Sequence, residues 1–245
     1  MHPIICQIGP FTVYSYGLTL VLAFFAASFL AAARAKKENL APEAIINFLF
    51  AAFISGIIGA RLLYVIQNRD FYFKEPLEIV MLQHGGLSWF GGLIAGTSAG
   101  LIFLKRRRLP IYKALDIAAP SAALAQAIGR IGCFLNGCCF GRESALGFYF
   151  PGRHIRLIPV QLYSSLLLVI ILVILTYLQK RPHRQGEIFY AYLLLYSAKR
   201  FLMEFWRGDG QVVFLHLRLF QFFSLILFCL ALFALLKIRV KIPRT

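Results

Sequence analysis

The sequence predicts an all-α, polytopic membrane bundle of about seven transmembrane helices, with the N-terminus outside and the C-terminus cytoplasmic. Three observations carry this reading. The 245 residues are 60% hydrophobic and only 15% charged, whereas a soluble domain is about half apolar and a quarter charged. The apolar residues fall in runs of about 20, the length that crosses a hydrocarbon core of about 30 Å, rather than in the short alternating segments of a membrane barrel. Lysine and arginine are concentrated in alternate connections between the runs, which by the positive-inside rule are the cytoplasmic ones.

Taken in order, the first span, roughly 12–33, ends at Arg34, Lys36 and Lys37. The second, 43–66, carries "SGIIGAR" (residues 55–61) near its end. The third, 87–104, starts in "GGLSWFGGLIAG" (85–96) with its two Gly-Gly pairs and ends at the basic run Lys105 to Arg108. The fourth, 114–133, opens near Asp116 and runs into "AIGRIGCFLNGCCFG" (127–141). Residues 138–157 read as an outer loop or small extension before the fifth span, 158–178, which ends at Lys180, Arg181 and Arg184. The sixth and seventh, 187–204 and 217–237, precede a basic tail with Lys241 and Arg244. Residues 1–245 read as one integral membrane domain. The net charge of +16 is accounted for by topology signals and membrane-surface contacts, so no nucleic-acid partner is expected. Residues 1–11 hold no lysine or arginine and the first apolar run exceeds a signal h-region, so no cleavable signal peptide is expected.

A charge inside a bilayer is expensive unless it is paired or faces a cavity, which makes each one a candidate site residue. Those here are Arg61, Asp116, Arg130, Lys199, Arg200 and Glu204. All but Asp116 fall towards the outer ends of their spans, joined by Arg142 and Arg207 in the adjoining loops. Arg200 and Glu204 are four apart and can pair along one helix face, and Lys199 can snorkel to the interface. Arg130 has no carboxylate three or four residues away, so its partner comes from another helix or from a ligand. Guanidinium groups bind phosphate through paired hydrogen bonds, and the phosphate available at that depth belongs to an anionic phospholipid. The glycines have two readings, close helix packing or backbone left open to a ligand.

Several segments together resemble the bacterial prolipoprotein diacylglyceryl transferase family. "GRIGCFLNG" (Gly129 to Gly137) is similar to its arginine-glycine signature, and "DIAAP" (Asp116 to Pro120) to a segment upstream. "YGL" (Tyr16 to Leu18), "GARLLY" (Gly59 to Tyr64), "PVQLY" (Pro159 to Tyr163) and "RFLMEFWR" (Arg200 to Arg207) resemble further motifs in the right order. The resemblance implies transfer of the diacylglyceryl group of phosphatidylglycerol to the lipobox cysteine of a preprolipoprotein at the bacterial cytoplasmic membrane. It implies catalytic roles for Arg130, Arg200, Tyr16 and Glu204. It implies a phosphatidylglycerol site that includes Arg130, Arg200, Arg207, Arg61, Gly91, Gly92, Asn136, Gln161 and Tyr163. The partners it implies are phosphatidylglycerol, the lipobox segment of the signal peptide, and the bilayer.

The chain departs from the family pattern at four polar positions, occupied here by Phe90, Cys133, Cys138 and Ile158. Phe90 stands where the family has a histidine before Gly-Gly. His84 precedes the other Gly-Gly pair, six residues earlier, and is a candidate base. The Cys-x4-Cys-Cys spacing of Cys133, Cys138 and Cys139 is not a zinc-ribbon pattern, so no metal and no cofactor are expected. Asn136-Gly137 is a strong turn dipeptide that can bring Cys133 and Cys138 together as a disulfide. Two alternatives follow: a non-catalytic phospholipid-binding paralogue, and a thiol–disulfide membrane protein using these cysteines.

Overall fold

The computed structural model describes residues 4–8, 11–81, 85–151, 154–208, 212–214 and 217–240. Among them are seven helices of 18 residues or more: α1 Ser15–Lys37, α2 Pro42–Gln67, α3 Trp89–Arg106, α4 Ile111–Leu135, α5 Val160–Gln179, α6 Glu187–Glu204 and α7 Leu219–Val240. Each falls within a few residues of an expected span. Five of them (α1, α2, α4, α5 and α7) are long and apolar enough to cross a membrane. The other two are the glycine-rich α3, which ends in Lys105 and Arg106, and α6, which carries Glu187, Lys199, Arg200 and Glu204. This is the architecture of a predominantly helical, multi-pass membrane protein of the all-α class.

Three antiparallel hairpins interrupt the helices. They are β1 Ile4–Ile8 with β2 Phe11–Tyr14, β3 Glu143–Phe150 with β4 Ile155–Leu157, and β5 Val212–Phe214 with β6 Leu217–Arg218. The second hairpin occupies most of the stretch 138–157 that the sequence reads as a loop or extension. Phe150, fully buried, meets Phe134 and Phe140 edge to face at ring-centroid distances of 6.3 and 5.9 Å.

The chain, read from sequence as one domain, forms two compact units: residues 31–114, and residues 1–30 together with 115–245. In the unit of residues 31–114, α2 packs along α3 through facing small residues. A Cβ on Gly59 would lie 2.2 Å from Ala95 Cβ, and one on Gly91 would lie 2.3 Å from the Gly59 carbonyl oxygen. The two backbones meet only because no side chain intervenes, as small residues allow between membrane helices.

In the unit of residues 1–30 and 115–245, α6 packs against α5 and α7 around Ala119, Ala123, Ile171, Leu175, Ile188 and Leu235. Asp116 fixes the start of α6. Its carboxylate accepts from the backbone N–H of Gly186 at 2.5 Å and of Phe189 at 2.8 Å. The side chain of Gln179 donates to the Asp116 carbonyl at 2.7 Å. These helix-start N–H groups have no partner within the helix and carry its positive dipole end, so a carboxylate from α4 suits them. A tight crossing joins α1 to α4, where a Cβ on Gly132 would lie 2.0 Å from Thr19 Oγ1.

Candidate active site

The local sequence sets the site's geometry at the end of α4. Gly137 takes a left-handed φ of 71°, and its N–H bonds the Phe134 carbonyl at 3.1 Å. The Cys138 N–H bonds the Cys133 carbonyl, also at 3.1 Å. These are the two bonds of a Schellman cap, which favours glycine at its left-handed position. The cap folds Cys138 back onto Cys133, whose carbonyl also accepts the Cys138 thiol at 3.6 Å. The next residue, Cys139, has φ 58°, which turns its side chain in as well. All three sulfur atoms lie within 4.8 Å of one another.

Further contacts hold this loop. The fully buried Gln161 at the start of α5 donates to the Cys138 carbonyl at 2.6 Å. The Gly141 N–H bonds the Ile158 carbonyl at 3.0 Å, and the Arg142 N–H bonds the Trp206 carbonyl at 2.9 Å. Gly141 and Arg207 form an antiparallel bridge. The signature loop is thus laced to the turn after α6, which carries the second arginine motif.

That lacing gathers charge. Glu204 is 1% exposed, with Arg200 at 3.1 Å and Arg207 at 3.9 Å from its Oε2. Neither guanidinium is aligned as a hydrogen bond to it, so the carboxylate is held by charge alone. Arg218 donates to the carbonyls of Glu204 and Arg207, both at 2.7 Å, and pins the turn. Arg200 also lies over the Phe220 ring at 4.6 Å. Lys199 is buried at 5% exposure, with its ammonium 5.1 Å from the Tyr196 ring centroid. It lies within electrostatic reach of Arg130, Arg200 and Arg207. Among the described residues Arg130 makes no hydrogen bond and no ion pair. Tyr16, at the start of α1, is within electrostatic reach of Arg130 and the three cysteines. The Cys139 thiol is drawn below the usual thiol range, first by hydrogen bonds with Cys133 and Cys138, then by the charges of Arg130 and Arg207.

The structure therefore brings Tyr16, Arg130, Gln161, Arg200, Glu204 and Arg207 to one neighbourhood. Gln161 is there through its bond to the cysteine loop, as is Asn136, whose side chain hydrogen-bonds Cys138. Tyr163 lies on α5 at 49% exposure. Cys133 and Cys138 are free thiols in this structure.

Three expected headgroup contacts need correction. Arg61 spends all five of its donors on backbone carbonyls, those of Glu78, Ile79, Met81, Gly85 and Gly86, and none remains for a phosphate. Its guanidinium anchors residues 78–81 and 85–86 ahead of α3. Gly91 and Gly92 face the backbone of α2 at Gly59 and Gly56, so packing rather than ligand approach accounts for them. His84, the candidate base, lies outside the described residues.

Two residues count for more than the sequence indicated. Lys199 reads equally well as a snorkelling lysine, but its burial rules that out here. Arg218 was missed, because an arginine at the start of an apolar run looks like an interface residue. The only signal was its place one residue ahead of the last helix.

A multi-pass helical membrane protein with a cluster of cationic side chains beside three thiols is the class that fold and site define. The family model for prolipoprotein diacylglyceryl transferase matches residues 3–237, and the chain belongs to that family. It is 35% identical over 244 residues to the phosphatidylglycerol–prolipoprotein diacylglyceryl transferase of Lactobacillus johnsonii, covering 93% of this chain and 87% of the relative. It is 34% identical over 238 residues to the protein of the same name from Streptococcus mutans, covering 93% and 91%. It is 32% identical over 240 residues to that of Clostridium tetani, covering 95% and 96%.

Proposed function

We propose that the protein transfers the diacylglyceryl group of phosphatidylglycerol to the lipobox cysteine of preprolipoproteins, forming a thioether and releasing glycerol 1-phosphate. The observation that carries this reading is the surplus of positive charge in one pocket. Arg200 and Arg207 share one carboxylate, Glu204, while Lys199 lies within electrostatic reach of Arg130, Arg200 and Arg207. Buried charge without a counterion is strongly unfavourable, so the pocket is built for an anion. A phosphodiester fits the forked donors of Arg130 and Arg200. The transferase names of the relatives favour this reading over a non-catalytic paralogue or a thiol–disulfide protein.

The chemistry follows from the charges. A thiol reacts as its thiolate, and the cationic pocket lowers the cost of forming one. The thiolate sulfur attacks the diacylglycerol carbon that bears the phosphate, and the carbon–oxygen bond breaks with its electron pair leaving on the phosphate oxygen. Arg130 and Arg200 stabilise the charge that builds there, the most effective place for fixed donors. Glu204 orients the arginines, and Tyr16 positions the headgroup or the thiol. By the asymmetry of lysine and arginine between connections, the chain spans the bacterial cytoplasmic membrane seven times with its C-terminus in the cytoplasm. The pocket then opens towards the outer leaflet, and the β3–β4 hairpin lies on the outer side.

The test is a direct transfer assay with purified protein, phosphatidylglycerol vesicles and a lipobox peptide, read as peptide mass. A diacylglyceryl gain that vanishes with Arg130→Ala and with a Cys→Ser peptide is expected. Phosphatidylglycerol binding without any mass gain would overturn the transferase reading.

A further inference from the structure

We propose that Cys133, Cys138 and Cys139 form a three-thiolate site for one thiophilic d10 divalent cation of the zinc class, with its fourth position open to an incoming thiol. The second half rests on the transferase reading; the first does not.

Geometry supports the site. Three sulfurs on a tetrahedral zinc at about 2.3 Å stand roughly 3.8 Å apart, and the three here already lie within 4.8 Å of one another. Closing them onto one ion needs side-chain adjustment only, because the backbone is set. The Schellman cap ties Cys138 to Cys133, the left-handed φ of Cys139 turns the third thiol in, and Gln161 locks the loop from α5. Sequence spacing argued against a metal because Cys-x4-Cys-Cys is not a ribbon pattern. The Gly137 turn supplies the convergence that a ribbon obtains from its own spacing.

Charge supports it as well. Arg130 and Arg207 both act on this cluster. Three thiolates and one dication together carry a charge of minus one, which suits surroundings that hold Arg130 and Arg207. Three sulfur donors select soft cations over magnesium or calcium. Among the described residues no histidine, aspartate or glutamate joins the trio. Sites with three protein ligands take water or substrate in the fourth position. Tyr16 and Arg130 lie in the same neighbourhood, so a thiol presented to the phosphate site also reaches the metal. Its coordination releases the thiol proton to solvent and leaves the sulfur pair in the metal–sulfur bond; no electron is transferred.

The experiment uses the reduced, chelator-stripped full chain in detergent, titrated with Cd²⁺ and separately with Co²⁺. One equivalent of Cd²⁺ is expected to saturate a sulfur-to-metal charge-transfer band and to protect Cys133, Cys138 and Cys139, but not Cys6 or Cys229, from alkylation. Cys133→Ser and Cys139→Ser should each weaken Cd²⁺ binding at least tenfold. A lipobox peptide should shift the Co²⁺ spectrum, and its Cys→Ser counterpart should not. Absence of the band, or unprotected cysteines in the unmutated chain, would overturn the site, and so would a Cys133–Cys138 disulfide that persists in reductant. Metal binding with no spectral response to the peptide would overturn the open position. Transfer is not among these readouts, so loss of the metal site leaves the transferase reading intact, and loss of transfer by metal-loaded protein overturns that reading alone.

Discussion

The Glu204 carboxylate stands 3.1 Å from the Arg200 guanidinium one helical turn away, with Glu204 fully buried and Arg200 partly exposed. Arg207 lies 3.9 Å from the same carboxylate oxygen, so among the described residues one acid serves both arginines. Its charge offsets part of the positive charge that Arg200 and Arg207 bring to the end of α6.

Removing Glu204 should therefore be costly even when its shape is kept. Breaking one side of a buried ion pair costs about 3–5 kcal/mol, whereas replacing both partners by apolar residues is often neutral. Glu204→Gln is expected to lower the thermal unfolding midpoint in detergent markedly and to abolish transfer. The double variant Arg200→Met/Glu204→Met should regain most of the stability and none of the transfer. An unchanged midpoint for Glu204→Gln would remove the carboxylate from its balancing role.

Arg130 predicts the opposite pattern. It has no hydrogen bond or ion pair among the described residues and stands within reach of the other cations, so its removal relieves repulsion. Arg130→Ala should leave the unfolding midpoint unchanged or raised. Transfer should fall on the order of 10²–10³-fold, the usual effect of deleting one preorganised donor at a developing anion. Arg130→Lys keeps the charge but loses the planar fork, and should recover only a small part of the rate. Parallel melting curves and transfer rates check both halves.

How far these sites are legible in sequence depends on the kind of signal. The helices were legible because hydrophobic run length is a local property, and α1 to α7 fall within a few residues of the expected spans. Arg130 and Arg200 were legible because charge is expensive in lipid. The role of Arg61 was not, since its five partners are backbone carbonyls 17 to 25 residues away, and carbonyls leave no mark in a sequence. The burial of Lys199 and the grip of Arg218 on Glu204 and Arg207 depend on helix packing for the same reason. The three hairpins escaped because short strands between long apolar runs have no periodicity of their own to read. The glycines were ambiguous until the α2–α3 distance was known.

That ambiguity yields a contrast between glycines. At Gly59 and Gly91 an added Cβ meets atoms at 2.2 and 2.3 Å, so Gly59→Ala and Gly91→Ala should each destabilise by about 1–3 kcal/mol through overpacking. At Gly129 nothing lies within 4 Å of the added atom, and alanine in a helix is favoured over glycine by up to about 1 kcal/mol. Gly129→Ala should leave the unfolding midpoint unchanged or raise it. Equal effects at the three positions would contradict the packing account.

Asp116 should act on α6 rather than on chemistry. Asp116→Ala removes the acceptor for the Gly186 and Phe189 N–H groups, a loss worth about 1–2 kcal/mol for a capping residue. Faster hydrogen exchange at the first turn of α6 is the expected signature. Exchange unchanged at Gly186 and Phe189 would show that other groups cap this helix.

Arg61 separates an anchor from a ligand. A lysine brings three donors where the arginine uses five, so Arg61→Lys leaves at least two carbonyls of the segment 78–86 without their partner. An unsatisfied buried acceptor costs about 1–3 kcal/mol. Its ring contact with Tyr72, at 5.2 Å, would be weakened too. The expected result is faster proteolysis and hydrogen exchange across residues 76–88, with phosphatidylglycerol affinity of the folded protein unchanged. A headgroup ligand would behave the other way, with the segment still protected and lipid affinity reduced. Limited proteolysis beside lipid binding on the same preparation decides between the two, because the guanidinium has no sixth donor with which to serve both.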